Sequence, residues 1–114
     1  MKRLSDIDLS PSQSEALDQI QQGLLENFSI EAIVLYGSVA RGEADEESDI
    51  DLLIITTHAL ERHERHRITE LIFETNLRHE TNFSSLVADR ASWESGLYSV
   101  LPIRQNIERD GVLV

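Results

Sequence analysis

Ser48-Asp49-Ile50-Asp51 leads into the apolar run Leu52-Leu53-Ile54-Ile55, so two carboxylates stand one residue apart at the start of what reads as a buried strand. Side chains at i and i+2 of an extended strand share a face, and Asp49 and Asp51 are therefore expected to project together from its N-terminal end. Two carboxylates held that closely repel each other unless a cation lies between them. The natural partner is a hard, oxygen-seeking divalent ion such as Mg²⁺. Upstream, the apolar run Ala32-Ile33-Val34-Leu35-Tyr36 ends in Gly37-Ser38-Val39-Ala40-Arg41-Gly42. Gly37 permits close backbone approach, and Ser38 stands where a helical turn can begin and present free N–H groups to an anion. Strand, Gly-Ser turn and acidic strand together describe a device for holding a metal–triphosphate complex, with the serine on phosphate and the aspartates on cations.

The elements that must position these residues can be read from periodicity. Ser10-Pro11 suits an N-cap and first helical residue, with Ser12 and Glu15 an alternative capping box slightly further on. Leu17, Ile20, Leu24, Leu25 and Phe28 recur at helical spacing, which predicts an amphipathic helix ending near residues 27–29, with Gly23 inside it. Strands are expected at 32–36, 49–56 and 82–88, with a short helical turn at 38–43 and a charged surface helix over about 59–78. After Ser92-Trp93-Glu94 the chain reads as one or two helices interrupted near Pro102, and Gly111-Val112-Leu113-Val114 as a last short apolar strand or docking segment. The pattern predicts an α/β (α+β) fold, a small mixed sheet with helices packed on it.

Composition bounds the rest. The 114 residues leave room for one domain, 1–114, with a real core but without a second substrate-binding domain, so another chain is expected to complete the acceptor site. Cysteine is absent, which excludes disulfides and thiolate zinc sites. Nothing at the N-terminus reads as a signal peptide, and no apolar run approaches the roughly 18 residues of a membrane span. A cytoplasmic protein without membrane contact is expected. Ten Lys and Arg against 21 Asp and Glu give a formal net charge of −11, which argues against a large phosphate-backbone footprint and hence against a nucleic-acid partner. A small nucleotide with a protein or small-molecule acceptor fits better. Glu43, Asp45, Glu46, Glu47, Asp49 and Asp51 crowd one segment, and an anionic nucleotide would need magnesium to enter that field.

Ten residues lie between Ser38 and Asp49. With the order apolar strand, Gly-Ser, Ala-Arg-Gly, acidic spacer, Ser-Asp-Ile-Asp, apolar strand, this chain resembles the polymerase-β-like nucleotidyltransferase superfamily, and in particular its minimal (MNT) members. The ending Asn106-Ile107-Glu108-Arg109-Asp110-Gly111-Val112 extends the similarity over nearly the whole chain. The resemblance implies ATP as substrate, Mg²⁺ as cofactor, Asp49 and Asp51 as catalytic metal ligands, and Gly37, Ser38 and Arg41 on the nucleotide. It also implies a small helical HEPN-type partner protein, which antitoxin-like MNT proteins inactivate by transferring AMP to a tyrosine hydroxyl. Homo-oligomerisation is left open.

One departure from the family concerns its third carboxylate, on the later strand. In Thr81-Asn82-Phe83-Ser84-Ser85-Leu86-Val87-Ala88 the matching position is Ser84, or Ser85 if the register is off by one, with Glu80 and Asp89 as flanking substitutes. Serine is neither a strong metal ligand nor a base at neutral pH. Arg41 has two readings, a cation on phosphate or a salt bridge to Asp49 or Glu47, and Tyr36 reads as a strand residue at the pocket edge. His63-Glu64-Arg65-His66 lacks the i, i+4 spacing of zinc proteases, and Arg62, Arg65 and Arg67 would repel a cation; with His58 and His79 these histidines read as a solvated face or a partner surface. Trp93 reads as a packing residue, with no second aromatic nearby to make a stacking platform.

The leading expectation is a Mg²⁺-dependent nucleotidyltransferase passing AMP from ATP to a hydroxyl on a partner protein. Ser84 favours a rival of another class, a non-catalytic nucleotide-binding module that neutralises its partner by complex formation. A third reading is the catalytic half of a split small-molecule transferase of the antibiotic-modifying type.

Overall fold

The computed structural model describes residues 1–43 and 48–114. Five strands form one mixed sheet in the order β1-β5-β2-β3-β4: β1 is Lys2–Arg3, β2 Ile30–Tyr36, β3 Ile50–Thr56, β4 Phe83–Asp89 and β5 Val112–Leu113. β2 pairs antiparallel with β3 and with β5, whereas β3–β4 and β1–β5 are parallel. A parallel neighbour requires a crossover, and α2, Arg62–His79, supplies it between β3 and β4.

α1 spans Pro11–Asn27. Ser10 Oγ accepts from the Gln13 N–H at 3.1 Å and Gln13 Oε1 accepts from the Ser10 N–H at 2.9 Å, so the capping box is Ser10/Gln13 and not Ser12/Glu15. Ala16, Leu17, Ile20 and Leu24 form its buried stripe. Gly23 is where α1 meets α2: a Cβ there would stand 2.9 Å from Leu71 Cδ2.

Alternation in β2 and β3 sends side chains into two cores. Ile33, Leu35, Ile50, Leu52 and Ile54 pack with Leu17, Ile20, Ile68 and Ile72 of α1 and α2. Val34, Leu53 and Ala88 meet Trp93 of α3, Arg90–Glu94, and Ile107 of α4, Pro102–Asp110, with Tyr36, Ile55 and Leu86 on the same side. Burial on both faces is why β3 reads as an almost continuous apolar run. Among the described residues, no helix is long and apolar enough to cross a membrane.

Several expectations shift. β2 begins at Ile30, two residues early, with a bulge between Ile30 and Ala32. Asp49 lies just before β3, and α2 begins at Arg62 on a Glu61/Glu64 capping box rather than at 59. The helical turn expected at 38–43 is present over residues 38–42, closed by bonds such as Arg41 N–H to Ser38 O, and does not extend into a regular helix. The pairing of Lys2–Arg3 beside β5 had no sequence signal, because two residues carry no period. Pro102 does interrupt the last helical segment, as the first residue of α4.

Candidate functional site

β2 ends at Tyr36, and the chain turns through Gly37 at φ 81°, a left-handed conformation that glycine adopts without a Cβ clash. The turn closes through Arg41 N–H to Ser38 O (3.1 Å), Gly42 N–H to Val39 O (3.0 Å) and Glu43 N–H to Ser38 O (3.0 Å). Val39 and Ala40 anchor it in the core under α1, and Lys2 Nζ donates to Ala40 O at 3.2 Å. Among the described residues, the N–H groups of Ser38, Val39 and Ala40 donate to no backbone carbonyl outside the regular elements. The opening amides of a helical turn have no partner within it and suit an anion.

Register brings Asp51 to this turn. It sits opposite Tyr36 on β2 and opposite Ser84 on β4. Its Oδ1 accepts from Ser84 Oγ at 2.8 Å, and its Oδ2 lies 2.5 Å from where a Cβ on Gly37 would stand. One carboxylate oxygen is thus tied to β4 while the other faces the Gly-Ser turn. Asp49, exposed and two residues earlier, makes no ion pair or hydrogen bond to any described residue. This donor set fits a divalent ion: Asp51 stands beside a turn suited to phosphate, and Asp49, unpaired among the described residues, comes two positions before it.

Ser84, and not Ser85, is the residue beside Asp51; Ser85 pairs with Leu52. Neither flanking carboxylate replaces it. Asp89 pairs with Thr56, roughly 16 Å further along the strand at about 3.3 Å per residue. It is committed to capping α3, accepting from Ser92 N–H at 3.1 Å and Ser92 Oγ at 2.7 Å, and the Ser92 hydroxyl bond is the main cause of its lowered pKa. Glu80 is exposed in the left-handed residue (φ 56°, ψ 47°) that ends α2.

Arg41 pairs with Glu43, Nε to Oε2 at 3.2 Å, and not with Asp49; Glu47 and the rest of the acidic spacer, Ala44, Asp45 and Glu46, lie outside the described residues. The pair is 44% and 62% exposed, and such surface pairs contribute at most about 1 kcal/mol, so Arg41 can leave it for a phosphate. Beside Arg41, a cavity of about 200 Å³ separates the turn from α4, lined by Tyr36, Gly37, Asn106, Arg109 and Asp110. Arg109 Nη2 holds Asp110 Oδ2 at 2.9 Å, which lowers the Asp110 pKa. Tyr36 is raised above its usual 10.0, first by burial and then by the charge of Asp51 and by Tyr98.

The histidines stay apart from this site. His63 pairs with Glu61 at 3.3 Å and His66 with Glu70 at 2.9 Å. Glu61, His63 and Glu64 offer ligand atoms within 4.8 Å of one another, but Glu61 already pairs with His63 and Glu64 Oε1 accepts from the Glu61 N–H at 3.3 Å. His79, 12% exposed, lies 3.9 Å from Glu15. Trp93 is a buried packing residue as expected, yet a second aromatic does stand near it: Tyr98, with ring centroids 5.9 Å apart. That contact joins two segments separated by a turn and leaves no periodic trace, whereas Asn106, Arg109 and Asp110 fall in the tail whose resemblance to the family was visible.

The sequence profile described as "Nucleotidyltransferase domain" matches residues 17–108. A Methanocaldococcus jannaschii protein named "Putative protein adenylyltransferase MJ1215" is 41% identical over 54 residues, covering 47% of this chain and 56% of that protein. "Putative protein adenylyltransferase MJ1305" of the same organism is 34% identical over 77 residues, covering 64% of this chain and 52% of that one. The matches therefore span about half the length of these relatives. A solved structure titled as that of a "putative nucleotidyltransferase" from Sulfolobus solfataricus superposes with TM-score 0.50 at 19% identity, covering 90% of this chain and 75% of its own, which shows a shared fold. With the profile matched over most of its length, this chain belongs to the nucleotidyltransferase domain family.

Proposed function

We propose that this chain is a Mg²⁺-dependent nucleotidyltransferase that binds ATP at the Gly37-Ser38 turn and passes AMP to a hydroxyl on a partner protein, as the antitoxin-like half of a pair with a small helical HEPN-type protein. The observation that carries the reading is the placement of Asp51 Oδ2 against Gly37, with Asp49 two residues away and bound to nothing described. The names of the two archaeal relatives, both protein adenylyltransferases, support the choice of adenylyl group and protein acceptor.

In this reading the free amides at Ser38 and Val39 and the Ser38 hydroxyl hold the β- and γ-phosphates, and Arg41 exchanges Glu43 for a phosphate oxygen. A divalent ion held by Asp49 and Asp51 would neutralise the triphosphate and polarise the α-phosphoryl group. The acceptor oxygen forms its bond to the α-phosphorus as the bond to the β-bridging oxygen breaks. Pyrophosphate leaves, and the acceptor proton passes to water, since Ser84 supplies no base opposite Asp51. Incubation with ATP labelled at the α-phosphate, Mg²⁺ and extract of the producing cell should leave label on protein. Asp49→Asn or Asp51→Asn should reduce that label by about 10² or more; undiminished labelling by both variants contradicts the transfer.

Ser84 supports a second reading, a nucleotide-binding module that neutralises its partner without transfer. Under it, the native chain binds Mg·ATP, no protein is labelled, and both asparagine variants still neutralise the partner.

A further inference from the structure

Resting on the nucleotide site proposed above, we infer that Ser84 is a positioning residue for Asp51, and that its own place is set by Asn76 on α2. The terminal torsion of aspartate is broad and roughly two-fold, so a half-exposed strand carboxylate has no intrinsic preference for which oxygen it shows to a ligand. Ser84 Oγ–H removes that freedom for Asp51. It takes Oδ1 at 2.8 Å and leaves Oδ2 against the Gly37 turn, where a nucleotide-borne cation would sit.

The donor is placed by more than the strand ladder. Asn76 Nδ2 donates to Phe83 O at 2.9 Å and Asn76 Oδ1 accepts from the Phe83 N–H at 2.9 Å, a two-point clamp on the residue immediately before Ser84. Thr81 Oγ1 donates to the same Asn76 oxygen at 3.0 Å, which fixes the orientation of the amide. Next to the clamp, the Ile50 N–H donates to Asn82 O at 2.9 Å, locking the parallel register that puts Ser84 beside Asp51. β4 is an edge strand, held by a ladder on one side alone, so a fixed start decides whether Ser84 meets the carboxylate.

The inference makes Ser84 matter for the metal-bound nucleotide specifically. Titration of ATP with Mn²⁺, and separately with EDTA, into the native chain and into Ser84→Ala and Ser84→Thr tests it. A hydrogen bond to a charged group is worth enough that Ser84→Ala should weaken Mn·ATP binding about tenfold, with metal-free ATP affinity unchanged. Ser84→Thr, which keeps the hydroxyl, should bind Mn·ATP within about twofold of native. Equal Mn·ATP affinity in Ser84→Ala and native chains overturns the inference, as does an equal loss with and without metal, which would mark a purely structural role. The double variant Asp49→Asn/Asp51→Asn separates the two layers of argument. If it loses Mn·ATP while Ser84→Ala does not, the inference alone fails. If it binds as tightly as native, or if the native chain shows no Mn²⁺-dependent binding, the site itself is wrong and the inference falls with it.

Discussion

Gly37 meets two demands at once. Its φ of 81° would cost an L-residue about 1–2 kcal/mol, and any Cβ would stand 2.5 Å from Asp51 Oδ2. Gly37→Ala should therefore lower stability by about 1–2 kcal/mol in a denaturant titration and, by rotating Asp51, weaken Mg·ATP at least about tenfold in calorimetry. Retained affinity would mean that the carboxylate does not face the turn. At this scale much of the candidate site was legible: Asp49, Asp51, Gly37 and Ser38 stand out by type and spacing, and Ser84, with Ser85 as the alternative, by the match to the family's later strand. The bond from Ser84 to Asp51 and the approach of Arg109 and Asp110 to Gly37 were not legible, because each depends on where a distant segment lands; Arg41 pairs locally with Glu43, one of several acids within its reach in the sequence.

Elements hold these residues through their ends. Ser10 caps the helix whose stripe covers Ile33 and Leu35, and Ser10→Ala should cost about 1 kcal/mol, read as a shift in urea midpoint with unchanged nucleotide affinity. Asp89 caps α3 with a pKa below the usual 3.8. A carboxylate lowered on folding adds stability above its unfolded pKa and loses it as pH falls through the folded value. The melting temperature should thus fall through the region below pH 3.8, and Asp89→Asn should flatten that part of the profile while lowering stability at neutral pH. A profile identical to native would contradict the cap. Helices α1 and α2 and strands β2 to β4 were visible because amphipathic stripes and apolar runs have a period. The Lys2–Arg3 pairing and the Asn76 clamp are set by tertiary contacts that local pattern does not encode.

For the whole molecule, two layers divide the work. α1 and α2 cover one face of the sheet completely enough to bury Leu52 and Ile54, while α3 and α4 cover the other over Val34, Leu53 and Ala88, leaving Ser84 exposed and Asp51 half-buried at the strand ends. Charge is divided too. In the sequence, six of the 21 acidic residues fall between Glu43 and Asp51, leading into β3, and Arg62, Arg65 and Arg67 fall on the first turns of α2, beyond its opposite end. A net charge of −11 is self-repulsive, and screening relieves it. The melting temperature in EDTA should rise between about 10 mM and about 0.5 M NaCl, where the Debye length shrinks from roughly 30 Å toward a few ångströms; a fall would show that paired charges outweigh repulsion. Under the proposed function, the same field would make nucleotide entry depend on a divalent cation. The most direct test is calorimetric titration of ATP into the native chain with Mg²⁺ and with EDTA, repeated on Asp49→Asn/Asp51→Asn. The account predicts that the native chain binds ATP far more tightly with Mg²⁺ than with EDTA, and that this difference is lost in the double variant. Mg²⁺-dependent binding that survives removal of both carboxylates would contradict it.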